Sequence, residues 1–337
     1  MPQPRHAQID IYATPYYHCI SRCVRRAFLC GEDRLSGRSF DHRKPWLVEQ
    51  LAELTTIFAV DLCAYAVLSN HYRLVLYLAF ARAAAWSDDE VIERYRQLFA
   101  PTVAARLALP PAQVAQWIAC WRARLSDLSW FMRCLNESIA RRANAEDACT
   151  GRFWEGRFRS QALLDNAGLV TCMAYVDLNP IRAGLATTVC DCDFTSVQQR
   201  LQPPGSREEP GATPEPPETG EDRGRPGRPE LRPFATEAGG GADGLPLEFP
   251  AYLELLTATG AALRSPEPTA RLPDASQRLL ERLGIAPPHW LESLREYRRR
   301  FFAMVGTVQS IDVYCARTER DHAKGRAWAA RAFRAVA

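Results

Sequence analysis

The chain has 337 residues, of which 47% are hydrophobic, so we expect one or two globular domains with a full core. Its formal net charge of +3 is too small to indicate a nucleic-acid ligand by itself. No stretch reaches the roughly 18 apolar residues of a membrane span, and MPQPRHAQID lacks the apolar core of a signal peptide. We therefore expect a cytoplasmic protein without a membrane partner.

The basic and sulfur-containing residues have unusual distributions. Only Lys44 and Lys324 are lysines, so nearly all the positive charge is arginine, which suits bidentate phosphate contacts but is also typical of GC-rich genomes. The eleven cysteines are scattered through apolar stretches, and the closest pairs lack the spacing of a structural zinc site. We interpret them as reduced core thiols.

A Pro-, Gly-, Glu- and Arg-rich stretch divides the chain. It includes PPGSREEPGATPEPPETG and has almost nothing apolar to bury, so residues 201–247 are predicted to be a disordered linker. The linker separates a large domain, residues 12–200, from a smaller helical region, residues 248–337, which we expect to be tethered flexibly.

The first domain begins with the pattern of an α+β sheet. TPYYHCISRCV predicts a strand, and PWLVEQLAELTTIFAV has the apolar spacing of a helix. DLCAYAVL and HYRLVLYL then predict two strands that meet in a tight turn at Ser69-Asn70. Strand, helix, strand, strand is the beginning of a ferredoxin-like antiparallel sheet with packed helices.

The rest of the chain is predicted to be mainly helical. Residues 86–121 look like a helical insertion that begins at Ser87, and a second helix spans residues 126–144. GRFWEGRFRSQALL predicts a basic aromatic strand, and residues 166–178 a helix that Pro180 stops.

Beyond the linker, helices are predicted near residues 276–283, 288–304 and 308–335, the last broken at Gly325. The run REYRRRFF in the second of these fits a nucleic-acid surface and a solvated helix face equally well.

Three motifs together, SNHYRLVL, GRFWEGRFRSQALL and AYVDLNPIRAG, carry a family resemblance. Over about residues 14–200 the chain resembles the REP-associated tyrosine transposases, which belong with the insertion-sequence transposases to the His-hydrophobic-His (HUH) single-strand endonuclease superfamily. The resemblance implies a DNA transposase that binds single-stranded or hairpin DNA and cleaves and rejoins it through a phosphotyrosine.

The same resemblance implies the site residues. His71 matches the first of two metal-binding histidines, whose spacing of two puts both side chains on one face of a strand. Arg73 stands where the second histidine is expected, and a guanidinium offers no lone pair to a metal. Tyr175 matches the nucleophile, and Asn179, four residues later, would lie near it and complete a Mg²⁺ or Mn²⁺ site.

Arginine and aromatic side chains alternate in the basic aromatic motif, which suits stacking on unpaired bases and gripping phosphates. The predicted DNA-binding residues are Arg152, Trp154, Arg157, Phe158, Arg159 and Arg182. Two alternatives stay open at this point: the aromatics could pack inwards with the arginines at the rim, and Arg182 could form an ion pair with Asp177.

Because Arg73 stands where the second metal-binding histidine is expected, the sequence does not decide whether the protein cleaves DNA. A transposase descendant that binds DNA but cannot cut it would explain the substitution directly, with Arg73 contacting a phosphate where the metal would be. A less favoured alternative is an RNA-binding ferredoxin-like sheet, although the strands lack the RGFGFVxF-type signature. His71 alone could be an ordinary strand histidine, Tyr175 a core residue and His18 structural. The sequence does not decide between a monomer and a homodimer.

Overall fold

The computed structural model describes residues 9–24, 29–32, 37–202, 227–235, 244–265, 271–321 and 323–334. Most of the predicted linker, 203–226 and 236–243, therefore lies outside the described residues. None of the helices in these ranges combines the length and apolarity that crossing a lipid bilayer would require.

A five-stranded sheet organises the fold. Its strands, in spatial order, are β2 (Val60–Val67), β3 (His71–Leu78), β1 (Tyr16–Arg22), β4 (Arg159–Leu163) and β5 (Met304–Val305). The first four strands pair antiparallel, as predicted, whereas β5 lies parallel to β4. The fold is thus mixed α+β, and the expectation of a purely antiparallel sheet is corrected by a fifth strand from the C-terminal region.

Helices cover the sheet and build the C-terminal region. In chain order they are α1 (Arg43–Ile57), α2 (Phe80–Ala85), α3 (Asp88–Leu107), α4 (Pro111–Leu125), α5 (Leu128–Glu146), α6 (Asn166–Asp177), α7 (Asn179–Arg182), α8 (Ser196–Leu201), α9 (Phe249–Arg264), α10 (Asp274–Arg282), α11 (Pro287–Arg295), α12 (Tyr297–Arg300), α13 (Val308–Arg317) and α14 (Arg326–Ala332). Ser87 caps α3 through a capping box, so the start predicted for this helix is confirmed.

The hairpin of β2 and β3 determines which side chains reach the candidate site. Ser69-Asn70 forms its turn as predicted, and the Leu68 amide donates to the His71 carbonyl at 2.9 Å. Side chains alternate along β3, so Tyr72 faces α5, where its hydroxyl donates to Asn136 at 2.7 Å. His71 and Arg73 therefore project from the opposite face, on which α6 packs.

Asp165 joins the first domain to the C-terminal region. One carboxylate oxygen accepts from the Gly168 amide at 2.9 Å and caps α6, while the other accepts from the Thr307 amide at 2.7 Å. Gly168 lies so close to β5 that a Cβ atom on it would be 2.5 Å from the Val305 carbonyl oxygen. The C-terminal region thus packs directly on the sheet, whereas the sequence predicted only a flexible connection between the two regions.

Several predicted boundaries differ from the structure. The basic aromatic motif forms a strand only from Arg159, because residues 151–158 run irregularly. The helix predicted over residues 288–304 is divided into α11, α12 and β5, and α9 was not predicted. The helix predicted over residues 308–335 is divided, as expected, but α13 already ends at Arg317; Gly325, which has φ of 95°, is the N-cap of α14.

Candidate functional site

Two adjoining cavities open along the face of the sheet that carries His71 and Arg73. We call the larger one, of about 550 Å³, the aromatic pocket and the smaller one, of about 450 Å³, the polar pocket. Together they form the basic cleft. Both pockets are lined by Ile20, Arg73, Arg157, Arg159 and Arg298. Four guanidinium groups on the shared wall make the cleft suited to an anion.

Arg73 is the buried member of this set. Its side chain is only 4% exposed, and its Nε and Nη1 atoms have no hydrogen-bond partner among the described residues. The guanidinium carbon lies 4.8 Å from the ring centroid of Tyr175. Aromatic contact offsets only part of the desolvation of a buried cation, so an anionic ligand that reached the two nitrogens would relieve an uncompensated cost.

The two histidines near Arg73 are held in the neutral form. Burial, followed by the charge of Arg73, lowers the pKa of both His71 and His18 to about 3. His71 Nδ1 lies 2.7 Å from the Asn70 side-chain oxygen, which identifies Nδ1 as the donor and leaves Nε2 as an unpartnered acceptor. His71 lines the polar pocket, whereas His18 lines the aromatic pocket.

Tyr175 is enclosed by other side chains. It lies in α6 with 1% of its surface exposed and lines neither pocket of the cleft. The ring of Tyr297 stacks on it, with centroids 4.0 Å apart and planes inclined by 13°. Arg182 also lies over the Tyr175 ring, 4.5 Å from its centroid. A nucleophilic Tyr175 would require this packing to open before a phosphate could reach the hydroxyl.

Asn179 and Arg182 follow Tyr175 but belong to a separate helix. Leu178 ends α6 and α7 begins at Asn179, so the predicted pair of Tyr175 and Asn179 spans a junction between two helices. Asn179 is buried, and its Nδ2 has no partner among the described residues. The alternative pairing of Arg182 with Asp177 is wrong, since Arg182 donates to the Arg295 carbonyl and Asp177 accepts from Ser196 and Tyr252.

The donor set does not fit a divalent cation. Mg²⁺ and Mn²⁺ prefer several oxygen ligands, and the predicted site offers one imidazole and one amide. The cation of Arg73 projects from the same strand face as His71 and would repel a metal ion. Within the described ranges, no group of three or more His, Cys, Asp and Glu residues could hold a metal.

The basic aromatic motif divides into exposed arginines and buried rings. Arg152, Arg157 and Arg159 are exposed, but Trp154 and Phe158 are only 9% and 8% exposed. The Trp154 indole donates to the Asn136 carbonyl at 2.8 Å, so stacking on a base would require it to leave its own contacts. The geometry thus matches the alternative in which aromatics pack inwards and arginines form the rim.

The C-terminal region supplies side chains to the cleft that sequence reasoning did not assign to a site. Arg298 lines both pockets, and Tyr297, Phe301 and Phe302 line the aromatic pocket. The Tyr297 hydroxyl donates to Gln161 Oε1 at 2.8 Å. The run REYRRRFF was the available signal, because it combines arginines and aromatics, but nothing local in the sequence indicates that it packs against Tyr175.

Comparison with known proteins gives a distant structural likeness. No protein-family model matches the chain, and no curated protein matches it. A solved structure described as a REP-associated tyrosine transposase bound to a REP hairpin is similar, with a TM-score of 0.36 and 13% identity over 63% of this chain and 95% of that chain.

Proposed function

We propose that the protein binds single-stranded or hairpin DNA in the basic cleft, with a phosphate against Arg73, and does not cleave it by metal-dependent chemistry. The observation that carries the proposal is the buried, unpartnered guanidinium of Arg73 on the wall that both pockets share. Arginine pairs with phosphate through several hydrogen bonds at once, which satisfies nitrogens that are otherwise costly to bury.

Electrostatics around Arg73 support an anionic ligand. Arg157, Arg159 and Arg298 are exposed at the cleft, and Glu155 is the one carboxylate on its described walls. Glu155 pairs with Arg22 at 3.3 Å, so it does not neutralise the three rim arginines. A chain of phosphates satisfies several such arginines together, whereas a small anion satisfies one or two.

The proposal includes descent from a transposase. The motifs SNHYRLVL and AYVDLNPIRAG meet in space, since Arg73 of the first contacts the Tyr175 ring of the second. The order β2-β3-β1-β4 with antiparallel pairing supports our interpretation of the core as a ferredoxin-like HUH endonuclease fold. Loss of cutting follows from Arg73 at the metal position and from the enclosure of Tyr175.

The test combines affinity with covalent capture. Hairpin DNA from the gene's own flanks, carrying a single-stranded extension, is titrated with protein and followed by fluorescence anisotropy. We expect wild-type protein to bind it, and Arg73→Met to bind it about tenfold more weakly because a charged hydrogen bond is lost. Arg96→Gln, which removes an exposed arginine of α3, is the matched control and should bind normally.

A denaturing gel run with and without Mn²⁺ decides whether cutting survives. We expect no covalent adduct from wild-type protein. An Mn²⁺-dependent adduct that Tyr175→Phe abolishes would contradict the proposal and favour the active transposase. Tighter binding of RNA of the same sequence would contradict DNA as the partner. An adduct formed by Arg73→His alone would support the disabled-descendant interpretation.

A further inference from the structure

The aromatic pocket differs from the polar pocket in the side chains that are not shared. Tyr297, Phe301, Phe302 and Phe158 line it, together with His18 and Gln161, and no carboxylate lies on its described wall. At about 550 Å³ it is within the size range of small-molecule sites, roughly 300–1,000 Å³, and exceeds what a phosphate alone would fill. The pocket therefore has room for a flat apolar group joined to an anion.

Phe302 is the accessible ring of this pocket. It is 46% exposed, whereas Phe301 is only 4% exposed and packs on Phe333. The Phe302 backbone is fixed, because its carbonyl accepts from Gln161 Nε2 at 2.6 Å. An exposed ring on an anchored backbone offers a stacking surface without a large ordering cost on binding.

His18 supplies an unused hydrogen-bond acceptor to the same pocket. Its Nδ1 lies 3.0 Å from Gln161 Oε1, which also accepts from the Tyr297 hydroxyl, so His18 Nδ1 must carry the proton. Nε2 of the neutral ring is then an acceptor, and it has no partner among the described residues. The side chain is only 1% exposed, so a donor in the pocket reaches this atom only when the imidazole ring turns towards the pocket.

We propose that the aromatic pocket binds one unpaired nucleobase of the DNA, which stacks on Phe302 and donates an N–H group to His18 Nε2 once the imidazole ring has turned towards the pocket. This proposal rests on the proposed function, because the shared arginines hold the phosphates that flank the base. A base presents a flat apolar face and polar edge beside a phosphate, which matches the aromatic wall, the buried acceptor and the guanidinium groups in that order. An acidic or purely apolar ligand would leave at least one of these three features of the pocket without a partner.

The experiment uses wild-type protein and the DNA that binds in the anisotropy assay. Each unpaired nucleotide is replaced in turn by an abasic site, which keeps the phosphates and removes the base. We expect one position to lose roughly fivefold to hundredfold in affinity while its neighbours change little. At that position, 2-aminopurine should be quenched on binding, and adenine should bind more tightly than unsubstituted purine, which lacks the amino donor.

Matched variants locate the effect in the pocket. Phe302→Leu should remove the abasic penalty and the quenching, and Phe302→Tyr should restore both because it keeps the ring. Val313→Ala shortens an apolar side chain of α13 that is 56% exposed, against 46% for Phe302, and should change neither.

The outcomes separate the two proposals. If the DNA does not bind at all, the proposed function fails. If it binds but tolerates an abasic site at every position, the base pocket is wrong while DNA binding stands. Equal affinity for adenine and purine would overturn the contact with His18.

Discussion

Arg73 and His71 project from the same face of β3, yet their chemistry differs. His71 keeps an unpartnered lone pair at Nε2, whereas Arg73 places a positive charge and two unpartnered donors in the same cleft. Among the described residues no carboxylate forms an ion pair with Arg73, so its charge is desolvated without full compensation. A residue in this situation is expected to cost folding stability and to be useful only when an anion binds.

Replacement of Arg73 should therefore separate stability from binding. We expect Arg73→Met to raise the free energy of unfolding by about 1 kcal/mol or more, because a desolvated cation is exchanged for an apolar side chain of similar length. The same variant should lose DNA affinity. Urea unfolding beside the anisotropy titration measures both. A loss of stability like that of an ordinary core truncation would show that Arg73 has a structural role instead.

The two buried histidines should make stability depend on pH. The pKa of His18 is about 3 in the folded protein and about 6.5 when unfolded, and His71 behaves alike. Between these values the unfolded chain binds protons that the folded chain does not, so stability is greatest above about pH 6.5 and falls towards pH 3. Urea midpoints from pH 7 to pH 4 should decrease, and less steeply in His18→Gln. An identical slope would exclude His18 as a cause.

The sequence predicted part of the site and missed the rest for a physical reason. His71, Arg73 and Tyr175 were named because the short motifs that carry the family resemblance are local in the sequence, and the structure places His71 and Arg73, but not Tyr175, on the walls of the cleft. Burial of Trp154 and enclosure of Tyr175 depend on contacts between distant segments, such as the stacking of Tyr297 on Tyr175. Strand alternation could not assign the faces of Arg152 to Phe158, because these residues do not form a regular strand. The catalytic and metal roles stay predictions.

At the scale of elements, α12 makes the C-terminal region part of the cleft, and β5 joins that region to the sheet. Both follow α11 closely, and β5 is two residues long. A strand of two residues has no alternation to detect, so no sequence pattern could predict it. In contrast, α9 could have been found, since FPAYLELLTATGAALR has Pro at the first helical turn and regularly spaced apolar residues.

Gly168 provides a test of this docking. We expect Gly168→Ala to lower the free energy of unfolding by about 1–3 kcal/mol, because the new Cβ would meet the Val305 carbonyl oxygen at 2.5 Å and force α6 and β5 apart. Gly151→Ala is the matched control, since a Cβ there meets nothing within 4 Å. Urea midpoints of both variants measure the effect. Equal stability of the two would contradict the docked arrangement.

At the scale of the whole molecule, the net positive charge is small, but arginines are concentrated at one cleft. The net charge is only +3, yet Arg73, Arg157, Arg159 and Arg298 converge on one cleft. This convergence depends on the fold, because the four arginines come from β3, the β4 region and α12. Composition alone could not predict a nucleic-acid surface from so small a net charge.

Salt should weaken DNA binding in proportion to these contacts. If the four arginines each neutralise one phosphate, the logarithm of affinity for single strands should fall with the logarithm of salt concentration at a slope of about −3. Arg73→Met should reduce the slope by about 0.7. Anisotropy titrations over a range of NaCl concentrations measure both slopes. A slope near zero would mean that the cleft does not hold the DNA backbone.

The pairing of β4 with β5 also has a consequence for synthesis of the chain. Leu163 pairs with Val305, about 140 residues later, so at roughly 5–20 residues per second the ribosome needs about 7–28 seconds to supply the partner of β4. During that interval the side of β4 that later pairs with β5 is an unpaired sheet edge, which favours association with other chains. Overexpressed protein should therefore form inclusion bodies more readily than its final surface suggests, and slower growth at low temperature should increase the soluble yield.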